Sequence, residues 1–257
     1  MYLFFIKKVF FDAWDNLLSL IVLNIGFVII VAGFAYTSII TEPGSITFFV
    51  LYVLLIFLFN FYTCGVAGYT KDILYSGSGE LKSIFKTAVN GWKQWMLLSF
   101  ITIAEASILF VGFPFYLSVG GVAGLAGAVT IFWVTFFWAL ASQYYFPAGF
   151  QLKGGVGKQI KKSFMLLLDN TGFTIFLGLH TIVVFAVSFF TAFLIPGISV
   201  IILSHQIALK LRLYKYDYLE EYPDAKRSAI PWDALLAEER EHIGPRSLKG
   251  MIFPWKD

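Results

Sequence analysis

Six long apolar stretches constrain this chain more than any other feature. They cover residues 17–40, 46–69, 95–119, 121–146, 172–194 and 196–213. A helix needs about 20 apolar residues to cross the roughly 30 Å hydrocarbon core of a bilayer, and in lipid the backbone polar groups must be satisfied within the chain. The expected fold is therefore all-α, a six-span transmembrane helical bundle. Only 14% of the 257 residues are charged, against about 25% for a soluble domain. Residues 172–213 are nearly continuous, and as one helix they would reach roughly 63 Å, twice the core. Pro196-Gly197 is thus expected to turn the chain, as are Glu42-Pro43-Gly44-Ser45 and the segment from Ser118 to Gly121. The first stretch is too long for a signal-peptide core and follows Asp12 and Asp15, so no cleavable signal is expected.

The basic residues set an orientation. Lys7 and Lys8 precede the first span, and Lys71, Lys82, Lys86 and Lys93 lie between spans two and three. Lys153, Lys158, Lys161 and Lys162 lie between spans four and five, and the rest of the 19 Lys and Arg begin at Lys210. The three short turns carry none. The positive-inside rule then makes both termini cytoplasmic in a bacterial inner membrane.

A repeated pattern sits before alternate spans. Ile6, Val9, Phe10, Ala13, Trp14 and Leu17 fall at helical spacing, with Lys7, Lys8, Asp12, Asp15 and Asn16 between them. Residues 81–92 (LKSIFKTAVNGW) and 160–170 (IKKSFMLLLDN) carry the same register. This predicts three repeats, 6–69, 81–146 and 160–213, each an amphipathic interfacial helix followed by a transmembrane hairpin. The membrane domain is then 1–213, and 214–257 is a cytoplasmic tail.

Asn24 in IVLNIGF, the FKTAVNGWKQW approach to span three, and Tyr145-Phe146-Pro147 followed by KQIKKSFMLLLDN resemble the YesL-like family of bacterial integral membrane proteins. The resemblance covers roughly residues 5–213 and rests on pattern and spacing. It implies about six spans and no established activity, with genes often beside sugar-uptake transporter components. No functional residues come with it.

Glu105 is the one carboxylate deep in a span, ten residues past Trp95 and so roughly 15 Å along the helix. His180 lies at a similar depth in span five, with Asn24, Asn60 and His205 in spans one, two and six. Together these residues form an intramembrane polar layer. It reads either as a proton- or solute-binding centre on Glu105 and His180, or as hydrogen bonds that hold the bundle together. Gly120, Gly124 and Gly127 make a small-residue face in span four, for internal packing or for a partner helix. Lys7, Lys8, Lys82, Lys86, Lys161 and Lys162 are expected to face anionic lipid headgroups. Gly154-Gly155-Val156-Gly157-Lys158 lacks the spacing of a phosphate-binding loop. A tail helix is expected between Asp233 and Gly244-Pro245. The apolar end, Met251, Ile252, Phe253 and Trp255, is expected to dock on this bundle or on a partner.

No nucleophile arrangement or metal-ligand spacing stands out, so no enzyme, cofactor or metal is expected, and nothing suggests nucleic acid. Two functions fit. One is an accessory or assembly subunit of a membrane or transport complex, tied to another membrane-protein subunit. The other is a carrier of a small solute, lipid or proton through the Glu105–His180 layer.

Overall fold

The computed structural model describes residues 1–227 and 229–246. Those residues form helices and turns, with no strand among them. The first helices, α1 (Tyr2–Asp15), α2 (Leu17–Ile40) and α3 (Ile46–Ser76), are joined by a break and a tight turn. The Ser45 hydroxyl accepts the Phe48 N–H and so caps α3, which ends at Gly77 in left-handed geometry (φ 76°). Helix α4 (Ser83–Asn90) leads into α5 (Trp92–Ser107), which passes through a π-turn (Ile108–Gly112) into α6 (Phe113–Val119). Next come α7 (Gly121–Ser142), α8 (Tyr145–Gln151), α9 (Val156–Asp169), α10 (Thr171–Phe190) and α11 (Gly197–Glu221). The tail supplies α12 (Trp232–Leu235) and α13 (Ala237–Ile243).

Five helical segments are long and apolar enough to cross a membrane: Leu17–Ile40, Ile46–Ser76, Trp92–Val119, Gly121–Gln151 and Thr171–Phe190. The chain is a polytopic membrane protein by this measure. The sixth expected span, 196–213, is not among the five. It lies in α11, which runs on to Glu221 and packs against α1, α2, α3, α8 and α10. Fourteen of its 25 residues are buried. A helix surrounded by protein can carry polar groups where a lipid-facing helix cannot, which explains its lower apolarity. Gln206, fully buried, donates to the Ala67 carbonyl (2.9 Å) and accepts from Gln151 (2.6 Å).

Short helices α1, α4 and α9 each precede a long one, and one residue leaves helical geometry at each junction. These are Asn16 (φ −112°, ψ 19°), Gly91 (φ −85°, ψ 18°) and Asn170 (φ −131°, ψ 37°). Asn16 and Asn170 donate their side-chain amides to the carbonyls of Asp12 and Leu166, each four residues back. The Leu166 carbonyl also accepts the Asn170 backbone N–H, so each asparagine side chain closes onto the last turn of the helix it ends and lowers the cost of the break in a low-dielectric setting.

Helix α1 buries Phe4, Phe5, Val9 and Phe11 and also Lys8 and Asp12, while Ile6, Phe10 and Trp14 of the amphipathic stripe stay exposed. Apolar residues occur all around this helix, so the stripe alone did not choose the buried face. The charges of the tail chose it, as shown below.

The turn between α10 and α11 is fastened to α2. Asn24, fully buried, donates to the carbonyls of Leu194 (3.0 Å) and Pro196 (2.8 Å) and accepts the Ser199 N–H (2.9 Å). The Ser199 hydroxyl donates to the Leu20 carbonyl (3.1 Å). Asn24 lies seven residues, or about 10 Å, into α2, which continues about 24 Å beyond it. The α10–α11 hairpin therefore ends well short of the α2–α3 turn. Cys64, the single cysteine, is fully buried, so introduced thiols report alone. In membrane vesicles, Glu42→Cys is expected to react with an impermeant maleimide from one face, and Thr191→Cys is not expected to react from that face. Equal labelling of both from the same face would refute the short reach of the hairpin.

Candidate functional site

Glu105 and His180 of the expected polar layer line separate cavities, and Asn24, Asn60 and His205 line neither of the two. Asn24 holds the α10–α11 turn, as described above. Asn60 is nearly buried and donates to the Ile56 carbonyl of its own helix (3.2 Å). The His205 Nε2 lies 3.0 Å from the Thr181 hydroxyl, joining α11 to α10. His180 sits edge-on to Phe5 with ring centroids 5.2 Å apart, and its buried Nδ1 has no partner among the described residues. It lines an apolar cavity of about 360 Å³ with Ile6, Phe10, Trp14, Val187 and Pro196.

Glu105 lies elsewhere, on a groove of about 240 Å³ between α5 and α7. The walls are Ile101, Ile108, Val134, Thr135, Trp138 and Phe164, so the carboxyl group is the charged member of an otherwise apolar lining. Among the described residues, no Lys, Arg or His stands within ion-pair distance of it. The π-turn begins three residues further on, and such turns recur at functional sites. Helix α5 fully buries only Ser99; most of its other residues, Glu105 among them, are half-buried, and Trp92, Lys93, Phe100, Ala104 and Ser107 are exposed.

The glycines of α7 divide by role. A Cβ at Gly124 would run into the Tyr116 carbonyl, and one at Gly127 into the Tyr116 ring. Both therefore serve close packing of α6 on α7 within the chain. Gly120 has open space around it and supplies the left-handed turn between the two helices (φ 66°).

Sequence reasoning missed a charged clamp that joins the two ends of the chain. The Lys8 ammonium lies 2.9 Å from the Asp12 carboxylate and 2.8 Å from that of Glu239 in α13. Glu239 also receives Lys210 (2.6 Å) and the Tyr214 hydroxyl (2.7 Å), both from α11. Leu236 and Ile243, buried on either side of it, seat the tail against the bundle. Lys8 is 2% exposed. This corrects its expected lipid-facing role, because a partner carboxylate offsets the cost of burying the ammonium. Lys82, Lys86 and Lys161 are exposed and Lys7 is half-buried. Lys162 donates to the Lys153 carbonyl. The available signal was the run of tail acids Glu238, Glu239 and Glu241, which had no assigned cation. The expected docking residues Met251, Ile252, Phe253 and Trp255 lie outside the described residues.

Burial by itself would raise the Glu239 carboxyl, but hydrogen bonds from Lys210, Lys8 and Tyr214 outweigh it and hold the group at about 2. At Asp12 burial prevails over Lys8 and the carboxyl is raised.

No family model matches the chain, and neither a curated protein nor a solved structure does.

The clamp makes docking of the tail dependent on acid. Glu239 titrates lower folded than unfolded, so its contribution is complete above the ordinary carboxyl value of 4.5 and is lost as pH falls toward about 2. Asp12, raised, has the opposite sign and does not cause the loss. Amide exchange over 237–243, corrected for the intrinsic rate, should accelerate through that window in wild type. Glu239→Gln should already exchange fast at neutral pH. Unchanged protection in that variant would disprove the clamp.

Proposed function

We propose that this chain is a non-enzymatic accessory or assembly subunit of a membrane or transport complex. The observation that carries the reading is the Glu105 groove. A carboxylate inside the bilayer is costly unless it is protonated, paired or facing water. Glu105 opens sideways between α5 and α7, with no cation of its own chain among the described residues. A partner helix bearing a basic or hydrogen-bonding side chain would fill the apolar groove and satisfy the carboxyl group. The resemblance to YesL-like proteins suggests the kind of partner, a component of solute uptake.

The proposed topology places both termini in the cytoplasm of a bacterial cell, with the chain in the inner membrane. The contact between α1 and α13 supports an even number of crossings, since both ends must lie on one face. The α10–α11 hairpin fits this however deep it reaches, because a hairpin returns the chain to the face it left. The recurrence of a short helix, a break and a long helix supports three related units. A carrier built on Glu105 and His180 together has less support, because the two residues line separate cavities.

The test is purification from native membranes in a mild detergent, for wild type and Glu105→Gln. A stoichiometric membrane partner is expected with wild type. Loss of a charge-assisted contact worth about 1.5–3 kcal/mol should weaken its retention at least roughly tenfold in the variant. A chain that purifies alone, or a partner kept fully by Glu105→Gln, would overturn the reading.

A further inference from the structure

A second polar recess, remote from Glu105, opens at the junction of α9 and α10. It has a volume of about 270 Å³ and is lined by Arg212, Lys215, Arg227 and Asp169, with Tyr2 and Trp232 at its sides. Three cations thus face one carboxylate among the described residues. That carboxylate is already engaged. Asp169 accepts Lys215 (2.9 Å), Arg227 (3.0 Å) and the Tyr216 hydroxyl (2.8 Å).

Arg212 has no acidic partner among the described residues. It is 7% exposed, and its guanidinium lies between aromatic rings, 3.8 Å from the Phe173 centroid and 5.2 Å from that of Trp232. Stacking covers the faces of the guanidinium and leaves its in-plane N–H groups to find acceptors. Those it has are weak: the Met1 thioether at 2.8 Å and the Asn170 amide oxygen at 3.5 Å. Its buried Nε has none among the described residues. Asp169 is bound directly by Lys215 and Arg227 and not by Arg212, so one carboxylate is left to offset three cations and the recess has room for a further anion.

The backbone makes the same demand. Thr171 and Gly172, at the start of the 20-residue helix α10, also line the recess. The first N–H groups of a helix have no partner within it and carry the positive end of its dipole. Lys215, as buried as Arg212, holds Asn170 at this helix start through a 3.1 Å hydrogen bond.

We propose that this recess binds an oxyanion of the phosphate class. The guanidinium of Arg212 and the first turn of α10 would hold the oxygens, and Arg227 would close over them from the solvent side. Arg227 suits that part because its side chain is 77% exposed. The phosphate could belong to a lipid headgroup or to a soluble phosphate ester, since both present the same oxygens.

The experiment uses the full chain in phosphatidylcholine nanodiscs, with and without phosphatidic acid, and separately with added inorganic phosphate. Thermal unfolding is followed for wild type, Arg212→Lys and Arg227→Gln. Bound ligand raises the midpoint by mass action. A rise with phosphatidic acid alone assigns the site to a lipid headgroup, and a rise with inorganic phosphate as well assigns it to a soluble anion. In either case both variants should need roughly tenfold more ligand for the same shift. Arg227→Gln alters an exposed side chain and stays informative if Arg212→Lys does not fold. No midpoint shift with either ligand would overturn the proposal. So would a shift that Arg227→Gln leaves unchanged, because the anion would then sit elsewhere.

Discussion

One buried asparagine holds the least regular part of the bundle. Between α10 and α11 the chain leaves helical geometry, with Ala192 and Phe193 at positive φ. Backbone groups freed in this way are expensive in an apolar medium. Asn24 satisfies three of them, at Leu194, Pro196 and Ser199. Ser188 adds a fourth by accepting the Gly197 N–H at 2.9 Å. Because Asn24 stands on the second turn of α2, the same bonds decide how far the hairpin reaches and where α11 begins. Helix α11 can then run through the centre of the molecule and meet α1, α2, α3, α8 and α10.

The charged residues follow from that placement. Helix α11 carries Lys210 on one face and Arg212 and Lys215 on the other, and each meets a different environment. Lys210 shares Glu239 with Lys8 and so ties the tail to the N-terminal helix. Lys215 is neutralised by Asp169. Arg212 receives only aromatic faces and weak acceptors. The clamp and the recess are thus two outcomes for cations of one helix, distinguished by whether a carboxylate is supplied nearby.

Much of the architecture was legible in local signals. Runs of about twenty apolar residues announce spans. Asn16, Gly91 and Asn170 stand where the amphipathic register ends and the next helix starts, and each junction falls there. The tail helix expected between Asp233 and Gly244 appears as α12 and α13, with Gly244 at φ 72°. The polar layer was not legible. Equal depth along separate helices does not mean a shared cavity, because depth says nothing about which way each helix is turned. Glu105 faces α7, and His180 faces α1.

The sequence by itself determined that this chain is helical and bound for a membrane, because hydropathy and segment length act locally and need no partner. It also determined where most helices start and stop, since caps and breaks depend on a few neighbouring residues. The tertiary structure alone decided which face of α1 is buried. Lys8 and Asp12 turn inward only because Glu239, more than two hundred residues away, arrives beside them. It alone decided that 196–213 belongs to a central helix, since lipid exposure depends on what surrounds a helix as well as on its composition. It alone left Glu105 and Arg212 without an ion-pair partner in this chain among the described residues. A charge is satisfied or stranded by whatever folds next to it, and no window along the sequence contains that information.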